Sequence, residues 1–256
     1  MRKPKSQKKE EKKRAWFTHL RGSMDAAGLA CSSDEALICP LCWEERSYEA
    51  LRLEHIVPRS VGGNDVTLSC QSCNNNQGSG LDSQLTKYQA AKDAFQGHGE
   101  ISTTIQFGDE RIAATLLWGD GRKDFTVVPQ ATNPKSSEQL KKLAQLQSLP
   151  DLKVTLELGY SKRRFYTGVM RSAYLILFKC LGYEYVKHEG VQEIRRRICG
   201  DGLSESDMDC LIIELRNATL PSDRQHLVAT SHRSEVGFFL VSVRLQLQTT
   251  TYIGAF

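Results

Sequence analysis

The spacing of apolar positions predicts strands in the middle of the chain and at its end. Three short runs rich in β-branched and aromatic residues lie between residues 101 and 129, namely ISTTIQF, RIAATLLW and DFTVVP. The turn-forming segments Gly108-Asp109 and Gly119-Asp120-Gly121 separate them, which is typical of an antiparallel meander. The run LKVTLEL predicts one further strand, and a terminal sheet is predicted from HLVATS, VGFFLVSVRLQLQ and TTTYIGAF.

Helical periodicity is strongest over residues 163–181. One face of that segment repeats at the 3.6-residue period and holds Phe165, Val169, Ala173, Ile176 and Cys180. Gly182 follows as a stop signal. Shorter helices are predicted over residues 15–29, 87–95, 136–149 and 191–198. The fold class expected from this order is α+β, with antiparallel strands and a long amphipathic helix in the C-terminal part.

Positive charge is concentrated at the N-terminus. The formal net charge of the 256-residue chain is +4, but the first fourteen residues hold eight Lys or Arg against two acids, a local +6. The remainder therefore carries −2, so a nucleic-acid function cannot rest on net charge outside this segment. Its low apolar content predicts a solvated, disordered basic arm over residues 1–14, able to contact phosphate nonspecifically.

The chain carries no sign of membrane insertion or export. No stretch approaches the roughly 18 uninterrupted apolar residues that a spanning helix needs. The basic N-terminus is followed by Ala15-Trp16-Phe17 and then at once by polar residues, so it lacks the apolar core of a secretory signal. We therefore expect a cytoplasmic protein with no membrane partner, whose cysteines are reduced.

Two Cys-x-x-Cys pairs predict a metal site. Four of the eight cysteines form these pairs, Cys39 with Cys42 and Cys70 with Cys73. Two residues between the members of a pair let both thiolates face one cation, and two pairs complete the sulfur tetrahedron that zinc prefers. The 27 residues between the pairs are more than a short ribbon needs, so further structure is expected between them.

The segment around these cysteines resembles the HNH endonuclease family. Glu54-His55-Ile56-Val57-Pro58 and Gly62-Gly63 lie between the pairs, and the second pair continues as Cys73-Asn74-Asn75 with Gly78-Ser79 and Asp82. The resemblance is closest to the branch written EHxxPxxxGG…CxxCNNxxGSxxD and covers about residues 36 to 86. It implies a zinc-stabilised ββα-metal finger that hydrolyses phosphodiester bonds.

The resemblance also implies roles for three residues. His55 would be the general base, because an imidazole has an unperturbed pKa near 6.5. Glu54 and Asn74 would hold a catalytic divalent cation, and an oxygen-rich pair suits Mg²⁺ or Mn²⁺. Neighbouring side chains of a strand face opposite sides, so simple alternation would not bring Glu54 and His55 into one site. The family pattern implies a local loop there.

The residue that orients His55 is left open. By count, Asp65 stands where the family has an Asn, Asn64 precedes it, and Asn75 or a backbone carbonyl is an alternative. Positive charge at a helix N-terminus opposes the macrodipole, so helix stability does not explain the basic residues at the start of the long helix. We expect these residues, and one basic residue further along the helix, to contact nucleic acid. These positions are Lys162, Arg163, Arg164 and Arg171.

Together these features predict a nuclease with an added domain. Residues 1–14 would be the basic arm, 15–95 the HNH nuclease domain, and 96–256 an α+β domain for recognition, partner docking or control. The substrate is expected to be DNA, with RNA left open, and the C-terminal domain could hold a protein partner or a second copy. The resemblance implies a setting in restriction, mobile elements or antiphage defence. The alternative is a zinc-finger-like module that binds nucleic acid or a partner without cutting it.

Overall fold

A computed structural model describes most of the chain. The residues it describes are 4–97, 99–119, 124–131, 134–145, 153–156, 159–200, 202–204, 206, 212–215, 220, 225–233, 238–247 and 250–255. The helices are α1 (Lys5–Ala26), α2 (Gln71–Gln77), α3 (Ser83–Phe95), α4 (Pro134–Ala144), α5 (Lys162–Val186) and α6 (Glu189–Cys199). None of the helices in these ranges is both long enough and apolar enough to cross a membrane.

Every strand pair among the described residues is antiparallel, and together with the helices this confirms the α+β class. The strands are β1 (Ala36–Ile38), β2 (Glu45–Ser47), β3 (Leu51–His55), β4 (Val66–Cys70), β5 (Glu100–Phe107), β6 (Glu110–Trp118), β7 (Phe125–Pro129), β8 (Lys153–Leu156), β9 (Ile212–Leu215), β10 (His226–Arg233), β11 (Phe238–Leu247) and β12 (Thr250–Ala255). β1 pairs with β2 and β3 with β4, while two four-stranded sheets have the orders β7-β6-β5-β8 and β10-β11-β12-β9.

The chain forms two compact units, and one of them is discontinuous in sequence. The first unit combines residues 1–86 with 161–256, and the second is residues 87–160. This division differs from the predicted boundaries, which kept the whole C-terminal part together after residue 95. The predicted meander is therefore a separate unit, whereas the long helix and the terminal sheet share a unit with the cysteine-rich segment.

The second unit contains the predicted meander. β5, β6 and β7 follow one another as expected, and β8 adds to the free edge of β5 with Thr104 opposite Thr155. Alternate residues of β5 and β6 are buried, and Ile105, Ile112 and Ala114 form a core against which α4 packs Leu140 and Leu143.

The first unit is organised around α5. Four of the five positions expected on its apolar face are buried, namely Phe165, Val169, Ala173 and Ile176, whereas Cys180 is exposed. The predicted stop at Gly182 is a break inside the element, where φ is +66°. A Cβ at Gly182 would lie 1.9 Å from Ser23 Oγ of α1, so glycine also permits the close approach of these two helices.

The expected disordered arm is helical from Lys5 onward. α1 begins ten residues before the predicted start at Ala15 and continues to Ala26. Contacts with Tyr48 stabilise this part of the helix. Lys13 Nζ lies 4.0 Å from the centre of the Tyr48 ring, and the Arg14 guanidinium lies 3.8 Å from it. Composition alone does not include such tertiary contacts, so it predicted disorder.

Candidate functional site

The four cysteines of the two pairs converge on one point. The sulfur atoms of Cys39, Cys42, Cys70 and Cys73 all lie within 4.8 Å of one another, and those of Cys42 and Cys70 are 3.9 Å apart. A tetrahedron with metal–sulfur bonds of about 2.3 Å has edges of about 3.8 Å. The thiols therefore already have the spacing of a four-sulfur zinc site. Within the described residues, no other group of three or more His, Cys, Asp or Glu ligand atoms converges in this way.

Hydrogen bonds to the sulfurs favour thiolates at two of these positions. Contact with Cys39 lowers the pKa of Cys42 and that of Cys70, because the thiols of the cluster share their protons in hydrogen bonds. The pKa of Cys39 itself is raised by its hydrogen bonds to the other three thiols and by burial. Thiolate is the form that binds zinc, so binding of the ion would displace the protons that the cluster still holds.

Side chains of α5 and α6 hold the first cysteine turn in place. The Tyr174 hydroxyl donates to the carbonyl oxygen of Pro40 at 2.7 Å. Arg195 Nη1 donates to the carbonyl of Leu41 at 2.7 Å, and Cys199 Sγ contacts the same oxygen at 3.2 Å. The backbone between Cys39 and Cys42 is therefore fixed by residues more than 130 positions later in the chain.

Two glycines shape the ten-residue loop that joins β3 to β4. Gly62 has φ of +92°, in the left-handed region that favours glycine. A Cβ at Gly63 would lie only 1.8 Å from the carbonyl oxygen of Val57, so any larger residue would displace the backbone. Register pairs Glu54 with Thr67 and His55 with Val66, which places both residues at the end of the strand next to this loop.

Glu54 and His55 face opposite sides of β3. The Glu54 side chain is 2 % exposed, and its carboxylate forms an ion pair with Arg171 of α5, whose side chain is 0 % exposed. Its other oxygen accepts a hydrogen bond from Ser69 Oγ at 3.3 Å. Strand alternation thus prevails over the local loop expected from the family pattern. The role of Glu54 as a ligand of a catalytic cation stays a prediction, and a cation bound there would share the carboxylate with Arg171 and Ser69.

Arg171 joins three parts of the finger. Besides Glu54, its guanidinium contacts Asp82 Oδ1 at 3.4 Å and donates from Nε to Gln77 Oε1 at 3.2 Å. Burial raises the pKa of Asp82 to about 6, although the nearby Arg171 charge acts in the opposite direction. We call these four residues, Glu54, Gln77, Asp82 and Arg171, the buried ion-pair cluster.

This cluster corrects the expectation that Arg171 contacts nucleic acid. A fully buried guanidinium with two carboxylate partners cannot reach a phosphate at the surface. One signal in the sequence could have indicated its role: Arg171 interrupts an otherwise apolar helix segment, and a buried charge requires a paired countercharge. The other three expected basic positions, Lys162, Arg163 and Arg164, are exposed at the N-terminus of α5.

His55 lies half-buried at the end of β3, in a basic environment. Burial lowers its pKa below the ordinary 6.5, the charge of Arg59 lowers it further, and the Glu54 carboxylate opposes the shift. Lys12 and Lys9 of α1 lower it as well. Within the described residues, no hydrogen bond to the imidazole is present. The ring is therefore neutral near pH 7 and can accept a proton.

The candidate orienting residues have other partners or lie elsewhere. The Asp65 carboxylate pairs with Lys179 Nζ at 2.6 Å and lies 3.4 Å from His226 Nδ1, so it links the hairpin to α5 and β10. Asn64 is exposed and its backbone N–H points to Gln225 Oε1 at 3.4 Å. On α2, Asn74 is half-buried and Asn75 exposed. None of the three candidates is brought into hydrogen-bonding contact with His55 among the described residues.

A groove adjoins the end of α2. Its cavity has a volume of about 510 Å³, and its lining includes Asn76 and Gln77 of α2 together with Arg163 and Arg164 of α5. Two of the basic residues expected to contact nucleic acid thus lie beside the helix that carries Cys73.

Comparison with known families identifies the segment that contains these features. Residues 39–89, about a fifth of the chain, match the family model described as HNH endonuclease. The resemblance drawn from the motifs is confirmed over this segment. A search of curated proteins and a search of solved structures found no match.

Proposed function

We propose that this protein is an endonuclease that hydrolyses phosphodiester bonds of DNA, with His55 as the general base. The observation that carries the proposal is the position of His55, which lies within the HNH segment and is partly exposed at the end of a strand. Burial and nearby positive charges also lower its pKa below 6.5. An effective base must be unprotonated at the working pH and accessible to the water that it activates.

The residues around His55 suit the hydrolysis of a phosphodiester. The imidazole takes a proton from water, the oxygen of that water bonds to phosphorus, and the bond from phosphorus to the leaving sugar oxygen breaks. Negative charge then develops on the phosphate oxygens, and the positive charges that act on His55 are those of Arg59, Lys12 and Lys9. A divalent cation, when bound, would stabilise the same charge. Glu54 and Asn74 are the expected oxygen donors to that cation, and the Glu54 carboxylate also pairs with Arg171.

The four cysteines fit a structural zinc ion. Their sulfurs are spaced for tetrahedral coordination, and the turn that carries Cys39 and Cys42 is fixed by α5 and α6. A closed four-sulfur shell leaves no position for water or substrate, which is typical of zinc that supports a fold. The zinc would therefore stabilise the finger without taking part in hydrolysis.

The groove beside α2 offers a path for the DNA backbone. Arg163 and Arg164 line it at the N-terminus of α5, where backbone N–H groups also favour an anion. Lys162 is exposed at the same helix end. These residues belong to the same compact unit as His55, so nucleic-acid contacts from the C-terminal part are part of the proposal.

Cleavage of plasmid DNA tests the function. Purified protein is incubated with supercoiled plasmid and Mg²⁺ or Mn²⁺, beside His55→Ala and the control His188→Ala, in which an exposed histidine of another segment is removed. We expect nicked or linear products from the wild type and the control, and a rate at least about 100-fold lower for His55→Ala. Equal thermal stability of the three proteins would show that the loss is chemical.

Two outcomes would contradict the proposal in different ways. Equal cleavage by wild type and His55→Ala would remove His55 from the mechanism. Absence of cleavage with every metal, together with retained DNA binding, would favour the alternative of a binding module. The observation that favours this alternative is that the Glu54 carboxylate is committed to Arg171.

A further inference from the structure

The N-terminal half of α1 is anchored beside β3. Tyr48 shortly precedes that strand, and its hydroxyl donates to Glu10 Oε1 of α1. The ring also contacts Lys13 and Arg14 through cation–π interactions and Phe17 edge to face, with ring centres 5.1 Å apart. These contacts repeat every three to four residues, so they fix one face of the helix against the finger.

A different face of the same helix carries only lysines. Its members are spaced at offsets of 0, 3, 4 and 7, which aligns them on one side of a helix, and they are Lys5, Lys8, Lys9 and Lys12. We call these four residues the lysine stripe. All four are exposed, and none forms an ion pair with any residue that the structure describes.

The stripe lies on the helix that Tyr48 anchors next to β3, the strand that ends at His55. The charges of Lys12 and Lys9 are close enough to His55 to lower its pKa, and Arg59, which follows β3, is exposed in the same environment. The stripe thus extends the positive surroundings of His55 along α1. From Lys5 to Lys12 it is about 10 Å long, since a helix rises 1.5 Å per residue. This length matches about three steps between successive phosphates of one DNA strand, each with an axial rise of about 3.4 Å.

Helix stability does not account for these lysines. Positive charge in the first turns opposes the helix macrodipole, and the first turn of α1 contains no acidic residue. Like charges at spacings of three and four residues also repel one another. A bound polyanion would relieve both effects. A membrane surface is disfavoured as the partner, because residues 5–12, KSQKKEEK, contain no apolar side chain to insert.

We propose that the lysine stripe binds the phosphodiester backbone of duplex DNA and holds it against the edge of the finger that carries His55. This inference rests on the proposed function, because it assigns the stripe to the same substrate. Binding through a row of flexible ammonium groups is independent of sequence and releases counterions from the DNA. The stripe would therefore supply affinity, while sequence preference would come from other parts of the protein.

Binding to a labelled DNA duplex in EDTA tests the stripe apart from cleavage. The variant Lys5→Gln/Lys8→Gln/Lys9→Gln/Lys12→Gln is compared with wild type and with the control Lys135→Gln/Lys141→Gln, which removes exposed lysines of α4. We expect the dissociation constant of the stripe variant to rise at least about tenfold. The slope of log affinity against log salt should fall by roughly 0.9 for each phosphate that the variant no longer neutralises.

The double variant Lys9→Gln/Lys12→Gln matches the control in charge change, so it separates position from net charge. It should weaken binding more than the control does. DNA should also increase the helical circular dichroism signal of wild type more than that of the stripe variant, because a bound anion stabilises this end of α1.

Several results would overturn the inference. Unchanged affinity and salt slope in the stripe variant would do so, as would an effect no larger than that of the control. Stripe-dependent binding to vesicles of anionic phospholipid or to duplex RNA, without stripe-dependent binding to DNA, would assign the lysines to another partner. A wrong proposed function would give a different result. The wild-type protein would then not cleave DNA with any metal, whereas its stripe-dependent binding to DNA in EDTA would remain.

Discussion

The two sides of the HNH finger differ in what surrounds them, and the adjacent residues Glu54 and His55 show the difference. On the inner side, Glu54 is buried against Arg171, and the cysteine turn accepts hydrogen bonds from Tyr174 and Arg195. On the outer side, His55 is half-exposed among lysine and arginine charges. A single step along β3 thus separates residues that stabilise the fold from residues available for chemistry.

Resemblance to a family therefore does not assign the same role to every residue of its motif. Glu54 and Asp82 both belong to the motif, yet in this chain both contact Arg171 of α5. Changes on the inner side should alter stability first, with activity following the folded fraction. Changes on the outer side should alter activity without unfolding. Variants of the inner side test this difference, from the largest expected effect to the smallest.

Loss of the zinc ligands should have the largest effect. Structural zinc contributes roughly 10 kcal/mol or more to the folding of zinc-finger peptides, which is comparable to the whole stability of a typical domain. We expect Cys70→Ser to lose bound zinc and to be unfolded at 37 °C by circular dichroism. The control Cys180→Ser changes an exposed thiol outside the cluster and should keep one zinc per chain. A folded Cys70→Ser protein with no metal would show that the four cysteines need no ion.

Removal of Arg171 should have the next largest effect. Breaking a buried ion pair leaves an uncompensated charge and typically destabilises by about 3–5 kcal/mol. We expect a loss of this size for Arg171→Ala in urea denaturation, and less than about 0.5 kcal/mol for the control Arg164→Ala at an exposed position of the same helix.

A double variant sharpens the interpretation of Arg171. Glu54→Gln/Arg171→Met removes the Glu54–Arg171 pair at similar volume, so it should recover part of the stability lost in Arg171→Ala. Recovery is partial because Asp82 loses its cationic partner in both variants. If the recovered protein cleaves DNA at the wild-type rate, Glu54 has no role in holding a catalytic cation. A stable double variant that does not cleave DNA would instead show that cleavage requires the Glu54 carboxylate.

The smallest predicted effect is the pH dependence that Asp82 introduces. Burial raises its pKa to about 6, so the native state binds a proton more tightly than the unfolded chain does. The resulting stabilisation is complete below the unfolded pKa near 4 and is lost as pH rises through about 6. Relative to Asp82→Asn, the wild type should therefore lose about 1–2 kcal/mol between pH 5 and pH 7.5.

Denaturant titrations at several pH values measure this difference. Glu138→Gln, which neutralises an exposed carboxylate, serves as the control and should track the wild type across the range. A constant difference between wild type and Asp82→Asn would mean that Asp82 stays ionised in the folded protein.

The parts of the structure that depend on local spacing were predictable from the sequence. The two Cys-x-x-Cys pairs predicted a four-sulfur cluster, and the sulfurs do converge. The meander and the buried face of α5 followed from periodicity, which reflects local backbone geometry. Alternation along β3 also predicted opposite sides for Glu54 and His55, in conflict with the roles that the family resemblance implied.

The parts that depend on distant contacts were not predictable. The partner of Glu54 lies 117 residues later in the chain, and no local pattern identifies it. The same holds for Lys5 to Arg14, whose helix depends on Tyr48. The discontinuous unit had no sequence signal either, because its two parts are separated by a unit with its own core.

That separation in sequence has a consequence for synthesis of the protein on the ribosome. Glu54 emerges long before Arg171, and the intervening 117 residues take about 6–23 s at common elongation rates of about 5–20 residues per second. During this interval Glu54 lacks its partner Arg171, and the turn between Cys39 and Cys42 lacks the hydrogen bond from the Tyr174 hydroxyl. The contacts that hold the HNH segment in place therefore form late in translation, after α5 has been made.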